Sequence, residues 1–179
     1  MEEKRNLILC GFMGCGKSTV GPLLAGMSGR RFVDMDSYIE SQAGKSVSAI
    51  FAEEGEAHFR ALEKEACKAL SHEQGLVIAS GGGTLIQKGN DEILRETGVI
   101  VLLDVPFDTL LERLKGDTSR PLLQKPDRGA VIQSLLAERL PIYRAVSDYV
   151  IPAQESPEAV ARRNLSALGQ TPCTALRTI

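Results

Sequence analysis

The feature that most constrains the fold of this chain is a set of short, almost uninterrupted aliphatic runs, separated by longer amphipathic segments. The clearest runs cover residues 6–10 (NLILC), 76–80 (LVIAS) and 99–105 (VIVLLDV), and weaker ones cover 31–34 and 149–151. Strands that are buried on both faces have this composition, whereas a strand with one solvent-exposed face alternates apolar and polar residues. The pattern predicts a parallel sheet covered by helices.

Helical periodicity fills the intervals between these runs. Predicted helices begin at Lys17 and after Phe107 and Gly129, and two more span about residues 55–72 and 156–168. Strands that alternate with helices imply βαβ crossovers, which are right-handed in nearly all proteins. The predicted fold class is therefore a doubly wound α/β domain.

A glycine-rich segment, G-F-M-G-C-G-K-S at residues 11–18, directly follows the first predicted strand and opens the first predicted helix. Its glycines allow successive backbone amides to turn inward around phosphate oxygens, and the helix adds the positive end of its dipole. A lysine in this pattern reaches the β- and γ-phosphates, and the following serine is a ligand of Mg²⁺. The segment predicts a site for a nucleoside triphosphate with Mg²⁺. The residues predicted to bind the nucleotide here are Gly14, Cys15, Gly16, Lys17, Ser18 and Thr19.

Two carboxylates, Asp34 and Asp36, follow the second predicted strand. The carboxyl ends of parallel strands form the edge at which open α/β sheets bind ligands. One carboxylate can face the metal ion while the other accepts a proton from an attacking hydroxyl, as phosphoryl transfer requires. The alternative is that Asp36, which precedes a helical pattern at residues 38–42, only caps a helix.

The third predicted strand is followed by three glycines at residues 81–83, and Arg60 lies in the predicted helix of residues 55–72. A glycine run lets the backbone approach a ligand closely, but it is also common in flexible turns. Arg60 either contacts a ligand or pairs with Glu56 or Glu63 at helical spacing. For both the glycine run and Arg60, the sequence leaves open whether the role is ligand binding or structural.

Arg139 lies on the apolar stripe of the helix that follows Gly129. A charge on an apolar face must be paired, extend to solvent or face a ligand. Pro141 lacks an amide hydrogen and is expected to end or kink this helix near Arg139.

Residues 116–128 (GDTSRPLLQKPDR) contain two prolines and five charged residues with little periodicity. A loop of this length inside a compact domain is more often a lid or a binding loop than a plain connection. The segment predicts a mobile lid that carries Arg120, and this arginine either contacts a ligand or is simply solvated.

These motifs occur in one order that is shared with a known family. They are G-F-M-G-C-G-K-S-T-V-G at 11–21, D-M-D at 34–36, F-R at 59–60, G-G-G at 81–83, R-P-L-L at 120–123 and R-L-P-I-Y at 139–143. Over roughly residues 5–168 the chain resembles shikimate kinase. The resemblance implies a nucleoside-monophosphate-kinase-like, three-layer α/β/α domain with a five-stranded parallel sheet. It also implies ATP-dependent phosphorylation of the 3-hydroxyl of shikimate.

The resemblance also implies a role for each motif residue. Asp36 would bind the hydroxyl and accept its proton, while Asp34 and Ser18 would hold Mg²⁺. The substrate would be bound by Arg60, Arg139 and the amide of Gly82, with both arginines on its carboxylate. Arg120 would close with the lid onto the phosphates, beside Lys17. The adenine loop would lie near residues 154–157 and include Gln154, although it lacks the arginine that some members have there.

The composition narrows the location and the partners of the protein. There are 21 Lys and Arg against 23 Asp and Glu, a net charge of −2, which argues against nonspecific binding to nucleic acid or membranes. The four cysteines form no C-x-x-C pair, and no apolar run approaches the ~20 residues that span a bilayer. We expect a cytoplasmic monomer whose single domain covers residues 1–168, with residues 169–179 as a flexible tail.

Two other functions fit part of the pattern. Another small-molecule kinase of the same fold, such as a gluconate or nucleoside monophosphate kinase, would share the phosphate loop. A nucleotide acceptor, however, favours stacking aromatics, and the chain has five Phe, three Tyr and no Trp. A nucleotide-sensing module without catalysis is the third possibility, but it has no need for an acceptor carboxylate such as Asp36.

Overall fold

The computed structural model describes residues 4–116 and 127–169. The interior of the predicted lid, including Arg120, and the tail from residue 170 lie outside these residues. The strands are β1 (Asn6–Cys10), β2 (Arg31–Asp34), β3 (Leu76–Ala79), β4 (Gly98–Asp104) and β5 (Tyr149–Pro152). The α-helices are α1 (Lys17–Ser28), α2 (Met35–Ala43), α3 (Val47–Ser71), α4 (Asn90–Arg95), α5 (Phe107–Leu114), α6 (Arg128–Val146) and α7 (Pro157–Ala167). A short 3₁₀ helix covers Thr84–Ile86.

The five strands form one parallel sheet in the order β2-β3-β1-β4-β5. The central strand β1 pairs with β3 and β4, so that Leu7 lies opposite both Val77 and Val99. All residues of β1 and β3 are buried, as their aliphatic composition predicts. The predicted fold class is confirmed.

The order of the strands positions the site. β1, β2 and β3 are neighbours, and the glycine-rich loop, the Asp34–Asp36 pair and the glycine run each follow the carboxyl end of one of them. Because the strands are parallel, these three segments meet at a single edge of the sheet. No helix in the described part of the chain is long and apolar enough to cross a membrane.

Helix α3 is longer than the sequence predicts. It begins at Val47, where the hydroxyl of Ser46 caps it by accepting from the amide of Ala49, and not near Gly55. Gly55 has φ 85° and ψ 172°, a conformation that interrupts the helix and that residues other than glycine rarely adopt. The sequence prediction therefore found only the second part of α3.

Pro141 does not end α6, which continues to Val146, so of the two predicted outcomes, an end or a kink near Arg139, the end is wrong. The turn after the proline is held by other contacts. The ring of Tyr143 is buried, with 1% exposed, and the hydroxyl of Ser147 donates to the carbonyl of Tyr143 at 2.6 Å. These contacts hold the helical turn after Pro141, which has no amide hydrogen to donate.

Candidate active site

A cavity of about 650 Å³ opens at the carboxyl edge of the sheet. It is lined by the glycine-rich loop and the start of α1 (residues 13–20), by Asp34 and Asp36, and by Ser80, Gly81 and Gly82. Arg113, Ala153, Glu155, Pro157 and Val160 line the rest of it. The three sequence motifs that follow β1, β2 and β3 thus share one cavity.

The glycine-rich loop has the conformation that its glycines predict. Gly11, Gly14 and Gly16 have φ values of 139°, 78° and 102°. At Gly11 a Cβ would also lie 2.9 Å from the carbonyl oxygen of Leu103, so a side chain is excluded there for a second reason. The loop leads directly into α1 at Lys17, which places the amino terminus of that helix at the cavity.

Lys17 curls back over this loop, where its Nζ donates to the carbonyls of Gly11 at 2.7 Å and Phe12 at 3.3 Å. Cys15 contributes its backbone to the cavity, since its residue surface is only 1% exposed and its Sγ lies 3.6 Å from the Nζ of Lys17. We call residues 11–19 the phosphate half of the site.

Both carboxylate oxygens of Asp34 accept hydrogen bonds, from three donors in all. Its Oδ2 accepts from the hydroxyl of Ser18 at 2.8 Å, and its Oδ1 accepts from the amides of Asp36 at 3.1 Å and Ser37 at 3.3 Å. The residue that caps α2 is therefore Asp34, and the alternative that Asp36 caps this helix is wrong. The carboxylate of Asp36 is left to face the cavity.

The Ser18–Asp34 pair fits Mg²⁺, which takes oxygen ligands and is usually held by one or two carboxylates together with substrate phosphates and water. Within residues 4–116 and 127–169, no group of three or more His, Cys, Asp and Glu side chains is placed to hold a metal ion. This donor set suits a cation that arrives with a phosphate substrate.

Asp36 lies among other charges. Its pKa is raised above the ordinary value, first because the surrounding protein desolvates it and then because Asp34 and Glu63 are negative, while Lys17 opposes the shift. A Cβ on Gly81 would lie 2.9 Å from the Oδ1 of Asp36 and 3.0 Å from the Oε1 of Glu63. A glycine at residue 81 therefore lets two carboxylates approach the same point of the backbone.

Glu63 is a buried charge, with 1% exposed, and both of its oxygens are paired. Its Oε2 accepts from Arg60 at 2.6 Å and its Oε1 accepts from the hydroxyl of Thr84 at 2.7 Å. Arg60 also pairs with Glu56 at 3.0 Å, so the predicted helical ion pairs are both present. The sequence showed Glu63 only as one possible partner of Arg60, because a burial of this kind depends on what packs over the helix.

Arg60 and Arg139, from α3 and α6, both reach the glycine run. A Cβ on Gly83 would lie 2.5 Å from a guanidinium nitrogen of Arg60, and Arg139 donates to the carbonyl of Gly82 at 3.4 Å. Neither arginine lines the cavity itself; they lie against its Gly82 end. We call Asp36, Arg60, Glu63, residues 81–83 and Arg139 the acceptor half of the site.

Arg113 on α5 is a site residue that no sequence motif indicates. Its guanidinium donates to the carbonyls of Gly14 at 3.3 Å, Cys15 at 3.4 Å and Ala153 at 3.0 Å. It thereby joins the phosphate half to the segment after β5. Gln154 is exposed and lies next to two residues that line the cavity, Ala153 and Glu155.

Comparison with known proteins shows the family of this chain. The family model described as shikimate kinase matches residues 13–169. The chain belongs to the shikimate kinase family.

Individual members of the family are similar over nearly the whole chain. The shikimate kinase of Halorhodospira halophila is 45% identical over 167 residues, which cover 93% of this chain and 94% of that one. The shikimate kinase of Psychrobacter cryohalolentis is 43% identical over 152 residues, covering 85% and 82%. The solved structure of the shikimate kinase from Acinetobacter baumannii in complex with shikimate superposes with a TM-score of 0.86 at 37% identity, covering 92% and 93%.

Proposed function

We propose that this member of the shikimate kinase family transfers the γ-phosphate of ATP to the 3-hydroxyl of shikimate at the edge of the sheet. The observation that supports this most directly is the position of Asp36. Its carboxylate lines the same cavity as the phosphate half, and a Gly81 Cβ would touch it. A carboxylate in this position can accept a proton from a hydroxyl that attacks a bound phosphate.

In the phosphate half, backbone amides of residues 14–19 and the ammonium group of Lys17 hold the phosphates of ATP. Ser18 of this half and Asp34, which accepts a hydrogen bond from it, would hold Mg²⁺, and the ion would supply positive charge to the phosphates. Arg120, which lies outside the described residues, is the arginine that we propose stabilises the phosphoryl group in transfer. Arg113 and the segment of residues 153–157 contact the adenine end.

In the acceptor half, Arg60 and Arg139 bind the carboxylate of shikimate, since planar guanidinium groups match a carboxylate with two parallel hydrogen bonds. The backbone amide of Gly82 donates a hydrogen bond to the substrate. Asp36 orients the 3-hydroxyl and accepts its proton. The raised pKa of Asp36 favours this step, because a stronger base accepts a proton more readily.

The family match favours shikimate over a gluconate-type acceptor, and the paired Asp34 and Asp36 favour catalysis over nucleotide sensing. We also propose that the protein acts as a cytoplasmic monomer, as its composition suggests.

The test of this proposal is ADP release by the purified protein with Mg²⁺ and ATP, measured with shikimate, gluconate and nucleoside monophosphates in parallel. We expect release that saturates with shikimate and stays at the no-acceptor background with the other two. A rate with gluconate or a nucleotide equal to that with shikimate would contradict the assignment.

A further inference from the structure

Two donors from one face of α6 meet the same backbone carbonyl in the acceptor half. The hydroxyl of Tyr143 donates to the oxygen of Gly82 at 2.5 Å, and Arg139, one helical turn earlier, donates to it at 3.4 Å. The residue surface of Tyr143 is 1% exposed, so its hydroxyl cannot turn to water instead. Burial also raises the pKa of Tyr143 to about 12, and the positively charged Arg139 opposes this shift.

A hydrogen bond to the carbonyl of Gly82 can fix the backbone orientation of the glycine run in the acceptor half. Gly82 has no side chain, so packing of its own cannot set the direction of its peptide groups. Since a peptide group is planar, fixing the carbonyl of Gly82 also fixes the direction of the amide of Gly83. The guanidinium group of Arg60 lies beside Gly83, and Arg139 donates to the carbonyl of Gly82. The peptide group between Gly82 and Gly83 therefore lies between the two arginines that the proposed function assigns to the substrate.

Tyr143 is itself anchored to the sheet. Its backbone carbonyl accepts from the hydroxyl of Ser147 at 2.6 Å, and that hydroxyl lies 3.3 Å from the Sγ of Cys10, the last residue of β1. β1 also leads into the phosphate loop. The chain Cys10–Ser147–Tyr143–Gly82 therefore ties the acceptor half to the rigid strand that carries the phosphate half.

We propose that Tyr143 is a positioning residue for substrate binding, which acts by holding the Gly82 carbonyl and the Arg139 guanidinium in one arrangement. The inference rests on the proposed function, because it takes as shikimate-binding groups Arg139 and the amide of Gly82, the residue whose carbonyl Tyr143 holds. Tyr143 does not itself contact the reacting atoms. Its hydroxyl determines the positions of the Gly82 carbonyl and the Arg139 guanidinium.

The first test is Tyr143→Phe, which keeps the ring and removes only the hydroxyl. We expect the KM and the calorimetric Kd for shikimate to rise about three- to tenfold, the effect of losing a net hydrogen bond of about 1 kcal/mol. The kcat and the KM for ATP should stay within about twofold. Tyr149→Phe, at an exposed position on β5, is the matched control and should change neither constant.

A merely structural role makes a different prediction, namely a lower melting temperature with unchanged shikimate binding, and that result would overturn the inference. Both variants are assayed well below their melting temperatures so that unfolding does not enter the constants. If Tyr143→Phe does not fold, Ser147→Ala, which releases the turn that carries Tyr143, replaces it with the same expected pattern.

A double-mutant cycle with Arg139→Ala sharpens the result. If Tyr143 acts through Arg139, removing the Tyr143 hydroxyl should weaken shikimate binding less in the Arg139→Ala background than in the wild type. The effects of the two single substitutions on the shikimate Kd should then be less than additive. Fully additive effects would contradict the inference. If wild-type protein does not bind shikimate at all, the proposed function fails and not the positioning role.

Discussion

The phosphate half of the site is built from one continuous segment, whereas the acceptor half is assembled from α2, α3, α6 and the glycine run. The hydrogen-bond partners of Lys17 and Arg60 differ as well. In the phosphate half Lys17 donates to backbone carbonyls, those of Gly11 and Phe12. In the acceptor half Arg60 donates to the carboxylates of Glu56 and Glu63, and Glu63 is buried.

This difference decides what a substitution leaves behind. Lys17 can be removed without leaving an unpaired charge behind, because its partners are neutral backbone carbonyls. Removing Arg60 leaves a buried carboxylate without its ion-pair partner, which is costly in a medium of low dielectric constant. Loss of activity and loss of stability should therefore separate in the phosphate half and coincide in part in the acceptor half.

The largest expected effect is that of Asp36→Asn, in the acceptor half. The amide cannot accept the hydroxyl proton, so kcat should fall by about 10²- to 10⁴-fold, the usual contribution of a general base. The KM for shikimate should change far less, because the side chain still reaches the hydroxyl. Steady-state kinetics with shikimate in excess measures both constants. A variant that keeps most of its kcat would remove Asp36 from the proton-accepting role.

Lys17→Ala should lower kcat by about 10²- to 10³-fold, the loss typical of removing one preorganised charge that stabilises the transition state. Its melting temperature should stay close to that of the wild type, which is the outcome that distinguishes the phosphate half. Lys68→Ala, at an exposed lysine paired with Glu65, is the control and should keep full activity. A large drop in melting temperature for Lys17→Ala would break the comparison between the two halves.

Arg60→Ala and Arg139→Ala should each raise the KM for shikimate by about ten- to a hundredfold, since a lost charge-assisted hydrogen bond costs about 1.5–3 kcal/mol. The KM for ATP should change little. Thermal melts should then separate the two variants. Arg60→Ala should melt lower than Arg139→Ala, because only the first leaves Glu63 without its arginine.

The control for both variants is Arg31→Ala, whose guanidinium pairs with Glu73 at the exposed surface. It should leave both Michaelis constants unchanged. If the two site variants bind shikimate as the wild type does, the arginines are structural and the acceptor assignment is wrong.

The smallest expected effect is a change in how the thermal stability of the protein depends on pH. The folded-state pKa of Asp36 lies above its ordinary value of 3.8, so the folded protein favours the protonated carboxyl. That contribution to stability is complete below pH 3.8 and is lost as the pH rises through the folded-state pKa. Asp36→Asn should therefore melt slightly above the wild type at pH 7, and the difference should vanish below pH 3.8.

Melts from pH 3 to pH 7 test this prediction, with Glu96→Gln at an exposed position as the control. A constant difference at all pH values, or a less stable variant at pH 7, would show that the charge on Asp36 carries no cost. The stability of the fold and the activity of the site would then not be in conflict at this residue.

The sequence by itself determined the parallel sheet and the phosphate half. Uninterrupted aliphatic runs are typical of strands buried on both faces, and the backbone conformation of residues 11–16 depends on glycines at 11, 14 and 16. These are local relations between a residue and its neighbours in the chain. Through the motifs that carry the family resemblance, the sequence also indicated candidate residues of the acceptor half.

The tertiary structure decided what those residues do to one another. It alone showed that Asp34 and not Asp36 caps α2, and that α6 continues through Pro141. It also placed Tyr143 on the carbonyl of Gly82, Thr84 on the buried Glu63, and Arg113 between the phosphate loop and Ala153. Each of these contacts joins segments far apart in the chain. Burial and hydrogen bonding across such distances depend on how helices pack over the sheet, and no local pattern records that packing.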